Sequence, residues 1–134
     1  MRIDEVEGIS SGYAAKLSAA GVSTTDDLLD KGSKPGGRDR LAESTGISGK
    51  LILEWVNHVD LMRIPGVGSE YSDLLEAAGV DSPLELTQRN AANLATTFKE
   101  VDAARPNLVR RVPSEETVAE WIESARKLDR IVEH

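Results

Sequence analysis

Two stretches decide the fold of this chain: VEGISSGYAAKLSAAGVSTTDDL at residues 6 to 28, and IPGVGSEYSDLLEAAGVDSPLEL at residues 64 to 86. At an offset of 58 they share nine of 23 positions: Gly8/Gly66, Ser11/Ser69, Tyr13/Tyr71, Leu17/Leu75, Ala19/Ala77, Ala20/Ala78, Gly21/Gly79, Val22/Val80 and Leu28/Leu86. A second match follows each: SGKLILEWV at 48 to 56 pairs with SEETVAEWI at 114 to 122, now at an offset of 66. A fixed spacing of this kind is the mark of a repeated structural unit. The second copy carries eight extra residues, which must lie between Asn90 and Pro113. Four of the five aromatics fall at paired positions, Tyr13 with Tyr71 and Trp55 with Trp121. Such pairing points to packing before function, so both tryptophans are expected in the core rather than as a stacking platform for bases.

Local signals agree on an all-α chain of short helices. Thr24 with Asp27, and Ser82-Pro83-Leu84-Glu85, read as helix starts of the capping-box kind. Ser48, Ser114 and Asn90 are further N-caps. Gly21, Gly79, Gly32 and Gly46 sit where left-handed helix stops are expected. Leu51, Ile52, Trp55, Val56, Val59 and Met62 trace one apolar stripe, and Val118, Trp121, Ile122, Ala125 and Leu128 trace another. No segment alternates apolar and polar residues over the length of a strand.

In MRIPGVGSEYSDLLEAAGV a Gly-Val-Gly turn stands between two helical stretches, and DEVEGISSGYAAKLSAAGV repeats it with Ser10 in place of the second glycine. Both resemble the helix-hairpin-helix motif. With the intervening GRDRLAESTGISGKLILEWVNHVDLMRI, nearly the whole chain resembles a family of tandem helix-hairpin-helix domains catalogued as a domain of unknown function. The resemblance implies tandem helix-hairpin-helix repeats. The apolar stripe from Leu51 to Met62 runs into the second hairpin with no linker composition, so residues 1–63 and 64–134 are expected as one compact bundle sharing a core through Tyr13, Leu17, Trp55, Tyr71, Leu75 and Trp121; two independent lobes joined near residue 64 are the alternative. The resemblance also implies a turn that holds a backbone phosphate on free N–H groups at the start of the next helix. The candidate anion turn is therefore Gly66, Val67, Gly68 and Ser69, with Gly8, Ile9 and Ser10 as a weaker one. The chain departs from the pattern of the nucleic-acid-binding relatives: Ser69-Glu70 and Ser11-Gly12 stand where a lysine or arginine usually follows, and Glu7 precedes the first turn. The plainer reading of each turn is punctuation between packed helices.

Charge narrows the partner. The net charge is −7, distributed as −4 over residues 1–30, +2 over 31–63, −5 over 64–104 and zero over 105–134. The hairpins are thus the most acidic segments, while basic groups cluster at Lys31, Lys34, Arg38 and Arg40 and at Arg105, Arg110 and Arg111. The second cluster falls in the excess of the second copy, with no acid between Asp102 and Glu115. Arg38, Arg40, Arg105, Arg110 and Arg111 are the candidate docking residues for an acidic partner or a phosphate.

Catalytic patterns are sparse. There is no cysteine, so a disulfide framework, a cysteine-ligated zinc and a thiol nucleophile are all excluded. The histidines are His58 and His134, and His58 is expected with Asn57 on the exposed side of its helix. Glu115, Glu116, Glu120 and Glu123 read as a solvated helix face beside Arg126 and Lys127. Lys34-Pro35-Gly36-Gly37-Arg38 lacks the full phosphate-loop pattern and reads as a turn into a helix. No cofactor, metal or small-molecule substrate is expected. MRIDEVEGIS lacks the apolar core of a secretion signal, and no apolar run approaches about 18 residues, so a cytoplasmic protein without membrane contact is expected. The expected function is a non-enzymatic protein-interaction or scaffolding module, with weak, sequence-nonspecific nucleic-acid binding as the alternative.

Overall fold

A computed structural model describes all 134 residues. The chain is all-helical: eight α-helices, a 3-10 turn at Ile3–Glu5 and no strand beyond a single antiparallel bridge between Arg2 and Thr24. It divides into two units, one of residues 1–60 with 131–134, the other of residues 61–130.

The first unit holds α1 (Ser11–Ala19), α2 (Thr25–Gly32), α3 (Pro35–Thr45) and α4 (Gly49–Leu61), whose last residue already counts with the second unit. α3 packs against both α1 and α2. Local chemistry sets the helix starts. Ser10 Oγ accepts the Tyr13 N–H, and Ser48 Oγ accepts the Leu51 N–H. At α2 the capping box is complete: Thr24 Oγ1 accepts the Asp27 N–H while the Asp27 carboxylate accepts the N–H of Thr24 and of Ser23. Those backbone donors, Ser23 first, hold the Asp27 carboxyl below its usual range.

Gly21 and Gly46 end α1 and α3 in the left-handed conformation that the sequence predicts. Gly32 does not. It is the last residue of α2, without positive φ, and its missing side chain serves packing instead. A Cβ there would stand 2.6 Å from Val56 Cγ2 on α4, so the bare position lets the end of α2 come close to that side chain.

The second unit holds α5 (Ser69–Ala77), α6 (Pro83–Thr87), α7 (Ala91–Ala104) and α8 (Glu115–Arg126), with α6 and α7 packed on α8. Ser82, Asn90 and Ser114 cap α6, α7 and α8 as expected. Part of the eight-residue excess lengthens α7, which has 14 residues against 11 in α3. The rest forms the 105–113 connection.

The buried apolar side chains fall into two clusters, one per unit. Leu17, Leu28, Ile52, Trp55 and Val56 build the first; Leu75, Leu86, Phe98, Val118 and Trp121 build the second. Of the six residues expected to share one core, Tyr13, Leu17 and Trp55 belong to the first cluster and Tyr71, Leu75 and Trp121 to the second. Full burial of a leucine such as Leu17 or Leu75 contributes about 1.5–3 kcal/mol, so each cluster is a substantial core. The ring pairs match closely. Tyr13 and Trp55 meet at 5.1 Å and 62°, Tyr71 and Trp121 at 5.1 Å and 56°.

Candidate functional site

The paired turns are built alike. Ile9 and Val67 bury the middle side chain of each, and their N–H groups bond to the carbonyls of Val6 and Ile64. Gly8 and Gly66 precede them at φ 87° and 89°. Beneath each first glycine lies the indole nitrogen of the paired tryptophan. Trp55 Nε1 is 3.9 Å from where a Gly8 Cβ would stand, and Trp121 Nε1 is 3.2 Å from that point on Gly66. The turns differ at the helix they feed. Ser10 caps α1 with its hydroxyl, whereas Gly68 gives α5 no side-chain cap. Ser69 opens α5 half-buried, and Gly66 and Gly68 are exposed.

The 105–113 connection runs to the start of α5. Glu70 accepts the Arg110 backbone N–H on one carboxylate oxygen, and Arg110 Nε lies 3.3 Å from the other. The Tyr71 hydroxyl donates to the Arg111 carbonyl at 3.0 Å. Val109 and Pro113 are buried, which pins the connection to the body of the unit. Arg105, Arg110 and Arg111 remain exposed, Arg110 with 95% of its side chain accessible. Glu70, the acid that replaces the usual basic residue after the turn, is thus covered by an arginine from the inserted segment. Sequence spacing could not reveal that contact, since it spans forty residues.

The first basic cluster is split. Arg40, Lys31 and Lys34 are exposed, but Arg38 is buried, which removes it from the candidate docking groups. Its Nη1 donates to the Gly32 carbonyl at 2.8 Å and its Nη2 to the Glu133 carbonyl at 2.7 Å. The guanidinium ties residues 131–134 to the α2–α3 corner, helped by the Glu133 N–H on the Ser33 carbonyl and by buried Val132.

His58 also departs from expectation. It is buried, as are Asn57 and Asp60, and the segment 131–134 accounts for part of this: His134 Nε2 meets Asn57 Oδ1 at 2.9 Å. A helical stripe read from α4 alone leaves these polar residues to solvent; Asn57 is met by a segment more than seventy residues away. Glu115, Glu116, Glu120 and Glu123 are exposed as expected, and both tryptophans are buried.

The equivalent carboxylates Asp27 and Glu85 respond oppositely to their surroundings. Backbone donors lower Asp27, whereas burial, aided by Asp81, pushes Glu85 above the usual carboxylate range. Arg89 lies 3.7 Å from Glu85 and donates to the Gly79 carbonyl at 3.2 Å.

The chain belongs to the family described as a domain of unknown function, DUF4332, whose model matches residues 7–128 and so runs through both units. No solved structure matches the chain. No helix is long and apolar enough to cross a membrane.

Proposed function

We propose that the chain is a tandem pair of helix-hairpin-helix repeats acting as a non-enzymatic protein-interaction module in the cytoplasm, with the 105–113 connection as its docking point for an acidic protein surface. The repeat reading is supported by the nine shared positions, the matched glycine conformations and the matched ring pairs.

One observation carries the functional reading. The connection is held from below by Val109, Pro113, Glu70 and Tyr71, while the guanidiniums of Arg105 and Arg111 are exposed and make no ion pair. A segment already held in place loses little freedom on binding, and guanidiniums meet carboxylates in forked geometry.

Weak binding to nucleic-acid phosphates is the second reading. It draws on the approach of Arg110 and Arg111 to the helix that follows the Gly66–Gly68 turn. Against it stand the Glu70 carboxylate at that helix start and the net charge of −7.

Replacement of Arg105, Arg110 and Arg111 together by serine tests the proposal. A ten-residue polyglutamate peptide is the probe, in about 150 mM salt. We expect binding to weaken at least about tenfold with the melting temperature unchanged, because the Arg110–Glu70 pair is exposed and contributes little. Binding that survives intact would overturn the assignment.

A further inference from the structure

The first unit contains a cleft of about 520 Å³ at the α2–α3 corner, lined by Asp30, Lys31, Lys34, Arg40, Leu41 and Ser44 among others. That volume lies within the range of small-molecule sites, roughly 300–1,000 Å³. Three cations face one carboxylate, and none of the three is in an ion pair. Lys31 Nζ lies 3.5 Å from where a Gly21 Cβ would stand, at the end of α1. Arg40 Nη1 lies 3.5 Å from the corresponding point on Gly36, in the first turn of α3. Two helices and the turn between them therefore bring the positive groups to one concavity.

The second unit shows what this corner looks like when its charge is satisfied. Arg89, the counterpart of Lys31 at the offset of 58, is tied to the Gly79 carbonyl and to Glu85. In the first unit the counterpart of Glu85 is Asp27, whose carboxylate is occupied by the α2 capping box. Lys31 still acts on Asp27, so Lys34 and Arg40 are the cations left to the cleft. An anion entering the cleft would meet Lys34 and Arg40, neither of which is in an ion pair.

We propose that this cleft binds a small molecule through a doubly charged phosphate group, a monoester or a diphosphate. More than one cation in the same lining suits a dianion. The phosphodiesters of a duplex carry one charge each on a convex surface, which fits a concavity of this size poorly. Buried Leu41 offers an apolar floor to the organic part of the ligand. The site lies in the first unit, apart from the arginines of the 105–113 connection, and does not depend on the function proposed for them.

Pyrophosphate is the probe, titrated by calorimetry into the full chain at about 150 mM salt, with amide shifts of Gly36 and Gly37 recorded in parallel. We expect one site per chain with a dissociation constant below about 1 mM, weakened at least about tenfold by Lys34→Gln with Arg40→Gln. Both side chains are exposed, so the melting temperature should hold. Should the double variant lose stability, the single variants Lys34→Gln and Arg40→Lys provide the same comparison. The triple serine variant of Arg105, Arg110 and Arg111 should bind pyrophosphate as the parent does. No saturable binding up to about 10 mM would overturn the proposal, as would binding that the Lys34 and Arg40 variants leave unchanged. Tighter binding of a duplex of about 20 base pairs than of pyrophosphate, lost in the same variants, would instead assign the cations to nucleic-acid backbone and also overturn it.

Discussion

Gly66 has two reasons to be glycine where Gly8 has one. Both adopt a left-handed φ, 89° and 87°, which costs a side-chain-bearing residue about 1–2 kcal/mol. At Gly66 a Cβ would also come within 3.2 Å of Trp121 Nε1, closer than the 3.9 Å left above Trp55 at Gly8. Gly66→Ala should therefore destabilise the protein more than Gly8→Ala, by about 1 kcal/mol beyond the shared backbone cost. Denaturant midpoints of the two variants measure this; equal losses, or a larger one at Gly8, would contradict the account of the tryptophan beneath the turn. At this scale much was legible in the sequence. Trp55 and Trp121 recur at equivalent positions within apolar stripes, and both are buried against their paired tyrosines. Arg38 and Asn57 were not legible, because their partners come partly from residues 131–134, which no local pattern connects to α3 or α4.

Helix boundaries followed local chemistry and were readable for that reason. Thr24, Ser48, Ser82, Asn90 and Ser114 each place an acceptor within three residues of the N–H group they satisfy. Gly32 misled because a glycine near a helix end serves either conformation or close approach, and only the neighbouring helix distinguishes them. The eight extra residues were locatable, but their division between a longer α7 and the 105–113 connection was not. The α2–α3 corner and the segment 131–134 act as one element through Arg38. Arg38→Met keeps the apolar stem and removes both hydrogen bonds, leaving the Gly32 and Glu133 carbonyls without that donor. The expected cost is about 2–3 kcal/mol. Hydrogen exchange at the Glu133 N–H, which bonds to the Ser33 carbonyl, should accelerate first. Unchanged protection there would show that Val132, the Glu133–Ser33 bond and His134 hold the segment without Arg38.

The whole molecule presents two all-helical units, each with its own buried cluster and with the same ring pair under the same kind of turn. The all-α class was legible because helix caps and apolar stripes occur in both matched stretches of sequence. The candidate sites were legible only as charge clusters: the count found the arginines of the excess segment but not their approach to Glu70 and Tyr71, which depends on how the chain returns. The net charge of −7 acts at this scale and opposes a long, densely charged duplex more than a short acidic peptide. The most direct test of the interaction module against the nucleic-acid reading is equilibrium binding of the unaltered chain to two probes across a salt series of about 50 to 200 mM. One probe is the ten-residue polyglutamate peptide, the other a duplex of about 20 base pairs. The account predicts tighter binding of the peptide at about 150 mM salt, with the duplex no tighter than about 100 μM. A duplex bound more tightly than about 1 μM at that salt, with a steep loss as salt rises, would contradict it.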